Sequence, residues 1–375
     1  MKEIKVALFG VTGYAANYTY TLAHPLREGV KLVAAVDPFS KQLDACPVYD
    51  TAEEMFKHHA PDLCAIATPI HLHAEQAIEC FNHGCSVALE KPIAADTESA
   101  KNILKARDEA GKLLSVGFNL CAESAIREVK RDVDSGLFGK PLSFKSLVLW
   151  PRDHTYFNRS SGWAGKKYSK DGKPIFDSVL SNATAHYLMN MLFMAGKPMK
   201  SLDCRTYRAN PVETYDTALM KGVTENGVDV FIAVSHAVEP ERKQNPLMRY
   251  DFENAYLTFG TIGGDERVFE AHFKDGRVKR YEEKQDTYQA PFWNMIDALR
   301  GEDVIACSGE TALMHVDAVE KMRFVRPESL SFPKELISEK DGYTFVPGLA
   351  DEMFELYERA QLPDRELRTL GGVNK

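Results

Sequence analysis

Within the first 120 residues, five short and almost wholly apolar runs alternate with longer stretches of helical periodicity, and that rhythm admits few folds. The runs are residues 4–9, 31–36, 63–67, 86–89 and 113–116. The clearest helix patterns between them are 73–82 and 97–109, followed by Gly84 and Gly111, each able to end a helix. Strands that are apolar on both sides need cover on both faces, and crossover helices supply it in a parallel sheet. Residues 1–120 are therefore predicted to form one α/β domain of βαβ type.

After Gly136 to Pro141 the rhythm changes. Strand-like segments at 142–149, 202–208, 218–224, 228–236, 248–254 and 256–259 are separated by turn residues such as Glu225, Asn226 and Gly227, the pair Gly263 and Gly264, and the pair Asp275 and Gly276. Helix patterns occur at 183–194, 291–299, 310–324 and 349–360. These features predict a second, α+β domain over 121–375, built on a large and mostly antiparallel sheet. A length of 375 residues fits two domains, because single cores stop growing well below it. A sheet face free of helices needs a cover, so the apolar strand faces in 228–235 and 256–259 predict a homodimer or homotetramer.

Composition removes several function classes. With 44% hydrophobic and 27% charged residues the chain has the make-up of an ordinary folded protein, and a net charge of -8 offers no field for phosphate backbones. No nucleic-acid partner is expected. No apolar run reaches the roughly 18 to 20 residues a membrane span needs, and the first nine residues read as a strand rather than a secretory leader. This predicts a cytoplasmic protein with no membrane partner. Seven cysteines (46, 64, 80, 85, 121, 204 and 307) are scattered without a C-x-x-C pair, so neither a disulfide framework nor a metal site is indicated.

Chemistry-bearing residues cluster where predicted strands end. Gly10, Val11, Thr12, Gly13, Tyr14 and Ala15 form a glycine turn between the first strand and a helix start, the place where a dinucleotide pyrophosphate rests on backbone N–H groups. Gly10 and Ala15 match the first and third positions of G-x-G-x-x-G/A, and Thr12 departs from the second. A plain strand-to-helix turn remains the alternative. Asp37 ends the second strand, where an acidic residue accepts hydrogen bonds from an adenosine ribose and repels a 2′-phosphate, which favours NAD over NADP. Asp37 could instead start the turn at Pro38. Ser40 and Lys41 keep NADP possible. Thr68, Pro69 and His73 follow the third strand, and Glu90, Lys91 and Pro92 follow the fourth. Lys91 is either aimed at the cofactor edge or an ordinary solvated charge.

Together these elements resemble the Gfo/Idh/MocA family of NAD(P)-dependent oxidoreductases, known for acting on inositols, glucose and other sugar-like polyols. The resemblance rests on the glycine turn, Asp37, Asp62 with Thr68, Pro69 and His73, the Glu90, Lys91, Pro92 tripeptide, Gly117 to Asn119, the Ser135 to Pro141 stretch, and Ser181 to His186. It implies an N-terminal Rossmann domain that binds NAD through Gly10, Thr12, Gly13, Tyr14, Ala15, Asp37, Thr68, Pro69, His73, Glu90 and Lys91. It also implies that Lys91 contacts the hydroxyl or carbonyl under attack and that His186 takes or gives its proton, a task suited to a histidine. On the residues alone, His186 in an apolar helix reads as a hydrogen-bonded core histidine more readily than as a catalytic one. Asn182 stands where the family usually carries an aspartate, Met189 replaces a second one, and Cys121 replaces a frequent arginine.

The connection 150–177 carries Tyr156, Arg159, Trp163, Lys167 and Tyr168, and aromatic faces with nearby cations suit a sugar pocket. An exposed or subunit-contacting loop is the alternative. Asn119, Tyr156, Arg159, Trp163, Asn182 and His186 are the predicted substrate contacts. The expected activity is hydride transfer between NAD and a secondary alcohol or ketone of a sugar, polyol or related small molecule. Family relatives add two alternatives: glycoside hydrolysis through transient oxidation, and a non-catalytic dinucleotide- or sugar-binding regulator.

Overall fold

A computed structural model describes residues 3–24, 27–40, 42–159, 162–284 and 289–371. The chain divides into two compact units, Met1–Ala122 with Asp286–Val316, and Glu123–Gln285 with Asp317–Lys375.

The first unit is a six-stranded parallel sheet in the order β3-β2-β1-β4-β5-β6. Its strands are β1 Ile4–Phe9, β2 Val30–Val36, β3 Val48–Tyr49, β4 Leu63–Ile66, β5 Ser86–Leu89 and β6 Leu114–Val116. The helices are α1 Ala16–Ala23, α2 Ala52–His58, α3 His73–Asn82, α4 Thr97–Ala110 and α5 Asn119–Ala122. All five predicted strands are present within one residue at either end, because two covered faces force an apolar run. β3 and α2 carry no such signal. β3 is two residues long, and α2 starts where the Thr51 side chain accepts the Glu54 N–H at 3.2 Å.

The sequence reading assigned residues 286–316 to the second domain, and the structure corrects this. Helix Ala290–Arg300 places Phe292, Trp293, Met295 and Ile296 in one apolar core with Ile4, Val6, Leu8, Tyr18 and Leu32 of the first unit. Tyr18 and Phe292 meet edge to face at 5.9 Å, and Arg27 pairs with Asp297 at 2.6 Å while lying over the Trp293 ring. The periodicity of this helix was readable. Its destination was not, since an apolar stripe does not say which sheet it covers.

The second unit is built on a nine-stranded sheet in the order β14-β13-β12-β11-β7-β10-β9-β8-β15. These strands are β7 Pro141–Leu149, β8 Met199–Arg208, β9 Thr217–Thr224, β10 Asp229–Ser235, β11 Gln244–Phe252, β12 Ala255–Phe259, β13 Phe269–Phe273, β14 Val278–Tyr281 and β15 Leu330–Ser331. Most pairs are antiparallel, whereas β7 pairs with β10, and β8 with β15, in parallel. Helices α6 Ser124–Asp134, α7 His154–Phe157 and α8 Ala185–Ala195 belong to this unit, and a small hairpin pairs Ser338–Lys340 with Tyr343–Phe345.

The sheet face expected to need a second subunit is covered in part by the chain itself. Helix Leu349–Arg359 packs Leu349, Ala350, Met353 and Tyr357 into one cluster with Leu147, Leu149, Phe231 and Ala233. On β12 the half-buried residues are Tyr256 and Thr258, and Tyr256 stacks on His272 at 4.8 Å. The argument for a homo-oligomer from an uncovered β10 face therefore falls away. No helix among the described residues is long and apolar enough to cross a membrane.

Candidate active site

The glycine turn leaves β1 at the point where strand order reverses, between β1 and β4, the position at which open parallel sheets hold ligands. Gly10 has φ +85°, and a Cβ there would meet the Ala67 carbonyl oxygen at 3.3 Å and the Thr68 methyl at 3.4 Å. No side chain fits that approach without strain. Three residues on, a Cβ at Gly13 would meet nothing within 4 Å, so the backbone of the turn faces open space ahead of α1. Tyr14 is half exposed beside it.

Asp37 is buried, and its carboxylate grips the turn. Oδ2 accepts the Val11 N–H at 3.0 Å, while Oδ1 accepts those of Phe39 and Ser40 at 2.9 and 3.2 Å. A carboxylate offers about four acceptor positions, so one direction on Oδ2 is left for a ribose hydroxyl. Both sequence readings of Asp37 are thus compatible with one geometry: it caps the turn at Pro38 and ties the second strand to the glycine turn. Lys41, an alternative phosphate contact, lies outside the described residues.

The Glu90 carboxylate is buried where β5 ends. The Tyr18 hydroxyl of α1 donates to Oε1 at 2.9 Å, and the Lys91 N–H donates to Oε2 at 3.1 Å. Burial pushes the Glu90 carboxyl above its ordinary range, against the pull of Lys91 and of the Tyr18 bond. Gly117 makes room for this group, because a Cβ there would sit 3.0 Å from Oε1 and 3.1 Å from Oε2. Lys91 is half-buried and joined to Pro92 by a cis peptide bond. Asn119 is half-buried at the start of α5, and Cys121 is fully buried within it.

His73 is placed differently from its predicted role as a cofactor contact. It is 1% exposed, with Nδ1 2.9 Å from the Pro92 carbonyl and Nε2 2.9 Å from the Thr68 carbonyl. Each ring nitrogen faces a backbone carbonyl, and the neutral ring donates to one of the two, so the ring sits between the two turns. Burial lowers its pKa to about 4. Pro69 and Thr68 are half-buried, and the Thr68 hydroxyl bonds to Gln76 Oε1 at 2.5 Å.

In the second unit, Asn182 lies within a widened helical turn and His186 follows it. Residues Val179–Ala183 form one π-turn, closed by the Thr184 N–H on the Val179 carbonyl at 2.9 Å and opened by a reciprocal Ser178 and Ser181 capping box. α8 follows, with His186 half-buried as its second residue. Asn182 is buried, and its Nδ2 donates to Asp177 Oδ1 at 2.8 Å; the other Asp177 oxygen accepts the Gly165 N–H at 2.6 Å. Phe176, just before Asp177, holds φ +49°, a conformation that costs a bulky residue roughly 1–3 kcal/mol. Its ring lies under the Arg323 guanidinium at 4.0 Å. Met189 is buried in the core, and Asn190 accepts the Tyr250 hydroxyl at 2.7 Å.

The connection 150–177 is braced rather than loose. Asp153 caps α7 by accepting the Tyr156 N–H at 3.0 Å, and His154 is tied to Gly342 and Thr344 of the hairpin segment. Two guanidinium groups lie over the Tyr156 ring, Arg152 at 4.7 Å and Arg159 at 4.6 Å, and Arg159 also lies over Trp163 at 4.1 Å. His236 packs edge-on to Tyr156 and donates from Nδ1 to the Trp150 carbonyl at 2.7 Å. Burial and the Arg152 charge lower its pKa to about 3. Lys167 is half-buried, and Tyr168 is exposed.

Sequence reasoning named Tyr156, Arg159 and Trp163 but missed Arg152, Asp177, His236 and Tyr18. Arg152, Tyr156 and Arg159 share the four- and three-residue spacing of a helical turn, a signal that could have added Arg152. Nothing local marks the other three.

Comparison with known proteins decides the family. Residues 4–118 match the model of an oxidoreductase family with an NAD-binding Rossmann fold, and residues 126–282 match the GFO/IDH/MocA C-terminal domain. The chain belongs to the Gfo/Idh/MocA family. Its first unit is thus an NAD-binding Rossmann domain, and the glycine turn and Asp37 geometry fit that nucleotide. Among curated relatives, the chain is 26% identical over 147 residues to a 2,7-anhydro-N-acetylneuraminate hydratase of Mediterraneibacter gnavus, covering 38% of each chain. It is 30% identical over 151 residues to an inositol 2-dehydrogenase of Mycolicibacterium smegmatis, covering 38% of this chain and 43% of that one. Both matches span about two fifths of the relative's length. The WlbA dehydrogenase of Bordetella pertussis, solved with NADH and UDP-GlcNAcA, shares the fold of this Gfo/Idh/MocA chain with a TM-score of 0.72 at 22% identity, covering 87% of this chain and 97% of that one.

Proposed function

We propose that this chain is an NAD-dependent oxidoreductase acting on a secondary alcohol or ketone of a sugar, polyol or related small molecule, with Lys91 and His186 as its catalytic residues. The observation that carries the reading is the buried hydrogen bond from Tyr18 to Glu90. It fastens the helix after the glycine turn to the residue before Lys91, so that the nucleotide-binding turn and the lysine share one rigid support. Relatives named for inositol dehydrogenation, and a fold neighbour holding a nucleotide sugar, favour a polyhydroxylated substrate.

NAD supplies the hydride acceptor, or in reduced form the donor. The remaining work falls to side chains. As hydride leaves a carbinol carbon, the hydroxyl proton goes to the imidazole of His186. The Lys91 ammonium stabilises the negative charge developing on the oxygen. Asn182 cannot ionise, so it holds no proton of its own in this scheme. Asp37 disfavours a 2′-phosphate, which sets NAD above NADP.

The test is binding followed by turnover. The purified chain is titrated with NAD+ and NADP+ by calorimetry, then incubated with myo-inositol, D-glucose, D-glucuronate, D-galactose, D-galacturonate and UDP-N-acetylglucosamine while nicotinamide absorbance is followed. Tighter binding of NAD+ and reduction by at least one polyhydroxylated compound are expected. Binding of neither dinucleotide would remove the proposal.

A further inference from the structure

In the second unit, the Arg159 guanidinium lies over two rings, Tyr156 at 4.6 Å and Trp163 at 4.1 Å. Aromatic faces hold the plane of the guanidinium, so its N–H edges are what remains for hydrogen bonding. Nε and Nη2 form one such edge, a parallel fork that matches the two oxygens of a carboxylate. Both atoms are buried, and neither has a hydrogen-bond partner. The Nε of Arg152, whose guanidinium lies over the same Tyr156 ring, is buried without a partner as well.

Buried donors are nearly always paired in folded proteins, and donors on a charged group are the most costly to leave unmade. Among the described residues, no ion pair neutralises Arg152 or Arg159. Asp177 accepts the Gly165 N–H on one oxygen and the Asn182 Nδ2 on the other. His236 is 2% exposed; with its Nδ1 donating to the Trp150 carbonyl, its buried Nε2 also lacks a partner. Two cations around one ring, with an unfilled fork between two aromatic faces, call for an anion from outside the chain. The cluster adjoins α8: Trp150, which also lies under Arg152, meets Tyr187 edge to face at 5.6 Å, next to His186.

We propose that the Nε and Nη2 edge of Arg159, supported by Arg152, is a carboxylate subsite, so that the substrate is an acidic sugar rather than a neutral one. The inference rests on the sugar or polyol oxidoreductase reading and narrows its substrate class. The planar fork meets two oxygens of one anion, and a sugar phosphate is therefore the contrasting anion in the test.

The test compares acid and neutral partners of the same sugar. D-glucuronate with D-glucose, D-galacturonate with D-galactose, and D-glucose 6-phosphate are titrated by calorimetry into the full chain with and without NAD+. At least one sugar acid is expected to bind roughly 10- to 100-fold more tightly than its neutral counterpart, the range of a charged hydrogen bond. Arg159→Met should abolish that preference. Arg159→Lys, which keeps the charge and loses the fork, should retain only a minor part of it and serves if the methionine variant fails to fold. Acids binding no better than neutral sugars, a gain confined to the phosphate, or a preference that survives in both variants would overturn the subsite. Failure to bind NAD+ would instead remove the oxidoreductase reading, and the acid preference would still be read on the NAD-free chain.

Discussion

Asn182 donates from Nδ2 to Oδ1 of Asp177 across 2.8 Å, which places a buried carboxylate directly behind the position where related enzymes usually carry their own. Restoring the family residue should therefore do harm. In Asn182→Asp two carboxylates would face each other at hydrogen-bond distance and one would keep its proton. Its folded pKa would lie above the unfolded value, so the stability it contributes is present at low pH and lost as pH rises through the folded value. A loss on the order of 3 kcal/mol at pH 8, shrinking towards pH 5, is expected from urea unfolding. A deficit independent of pH would count against the pairing.

Lys91→Ala and His186→Ala are expected to lower kcat by roughly 100- to 10,000-fold, the usual share of a proton-handling or charge-stabilising group. NAD+ affinity and melting temperature should change little in His186→Ala. Parallel losses of turnover and melting temperature would show a structural role instead.

The Glu90 carboxylate has a hydroxyl, an amide and a missing side chain arranged around it. Tyr18→Phe removes one donor from a buried acid and should destabilise the chain by about 1–3 kcal/mol. Gly117→Ala places a methyl 3.0 Å from Oε1 and should cost roughly 1–3 kcal/mol by overpacking. Denaturant titration measures both, and both variants should also weaken NAD+ binding. Full affinity in the two would separate Glu90 from the nucleotide turn.

Acid sensitivity should come from two buried histidines. The folded pKa values of His73 and His236 lie at about 4 and about 3, below the unfolded value near 6.5. Between about pH 6.5 and pH 4 the unfolded chain binds protons that the folded chain refuses. Stability is therefore complete above pH 6.5 and falls on acidification, by at most about 1.4 kcal/mol per pH unit for each ring. Urea midpoints at pH 7.5, 6 and 5 measure the slope. His236→Gln should flatten it, and an unchanged slope would remove His236 as a source.

What could be read from the chain and what could not follow from the range of the interactions involved. β1, β4 and β5 were legible because strands covered on both faces must be apolar, and Gly10, Asp37 and Lys91 followed because they end such strands. Tyr18 was not legible as a partner of Glu90, since the two lie 72 positions apart and only the folded sheet brings them together. His73 was visible as a residue type in a motif, but its contacts with the Thr68 and Pro92 carbonyls belong to backbone, which a motif does not describe. Asp177 was hidden for a similar reason: its partners are the Gly165 amide and a carboxamide five residues on, neither of which follows a catalytic spacing. The placement of helix Ala290–Arg300 depended on which of two apolar cores its stripe would join, which periodicity does not state.

That last placement has a consequence during synthesis. Because Phe292, Trp293, Met295 and Ile296 complete the core around β1, the nucleotide-binding unit cannot close when its sheet-forming residues leave the ribosome. At ordinary elongation rates of about 5–20 residues per second, the nascent sheet waits roughly 10 to 30 s for Ala290 to emerge after Ala122. Throughout that interval the surface later sealed by Trp293 is open to holdases, or to a neighbouring nascent chain.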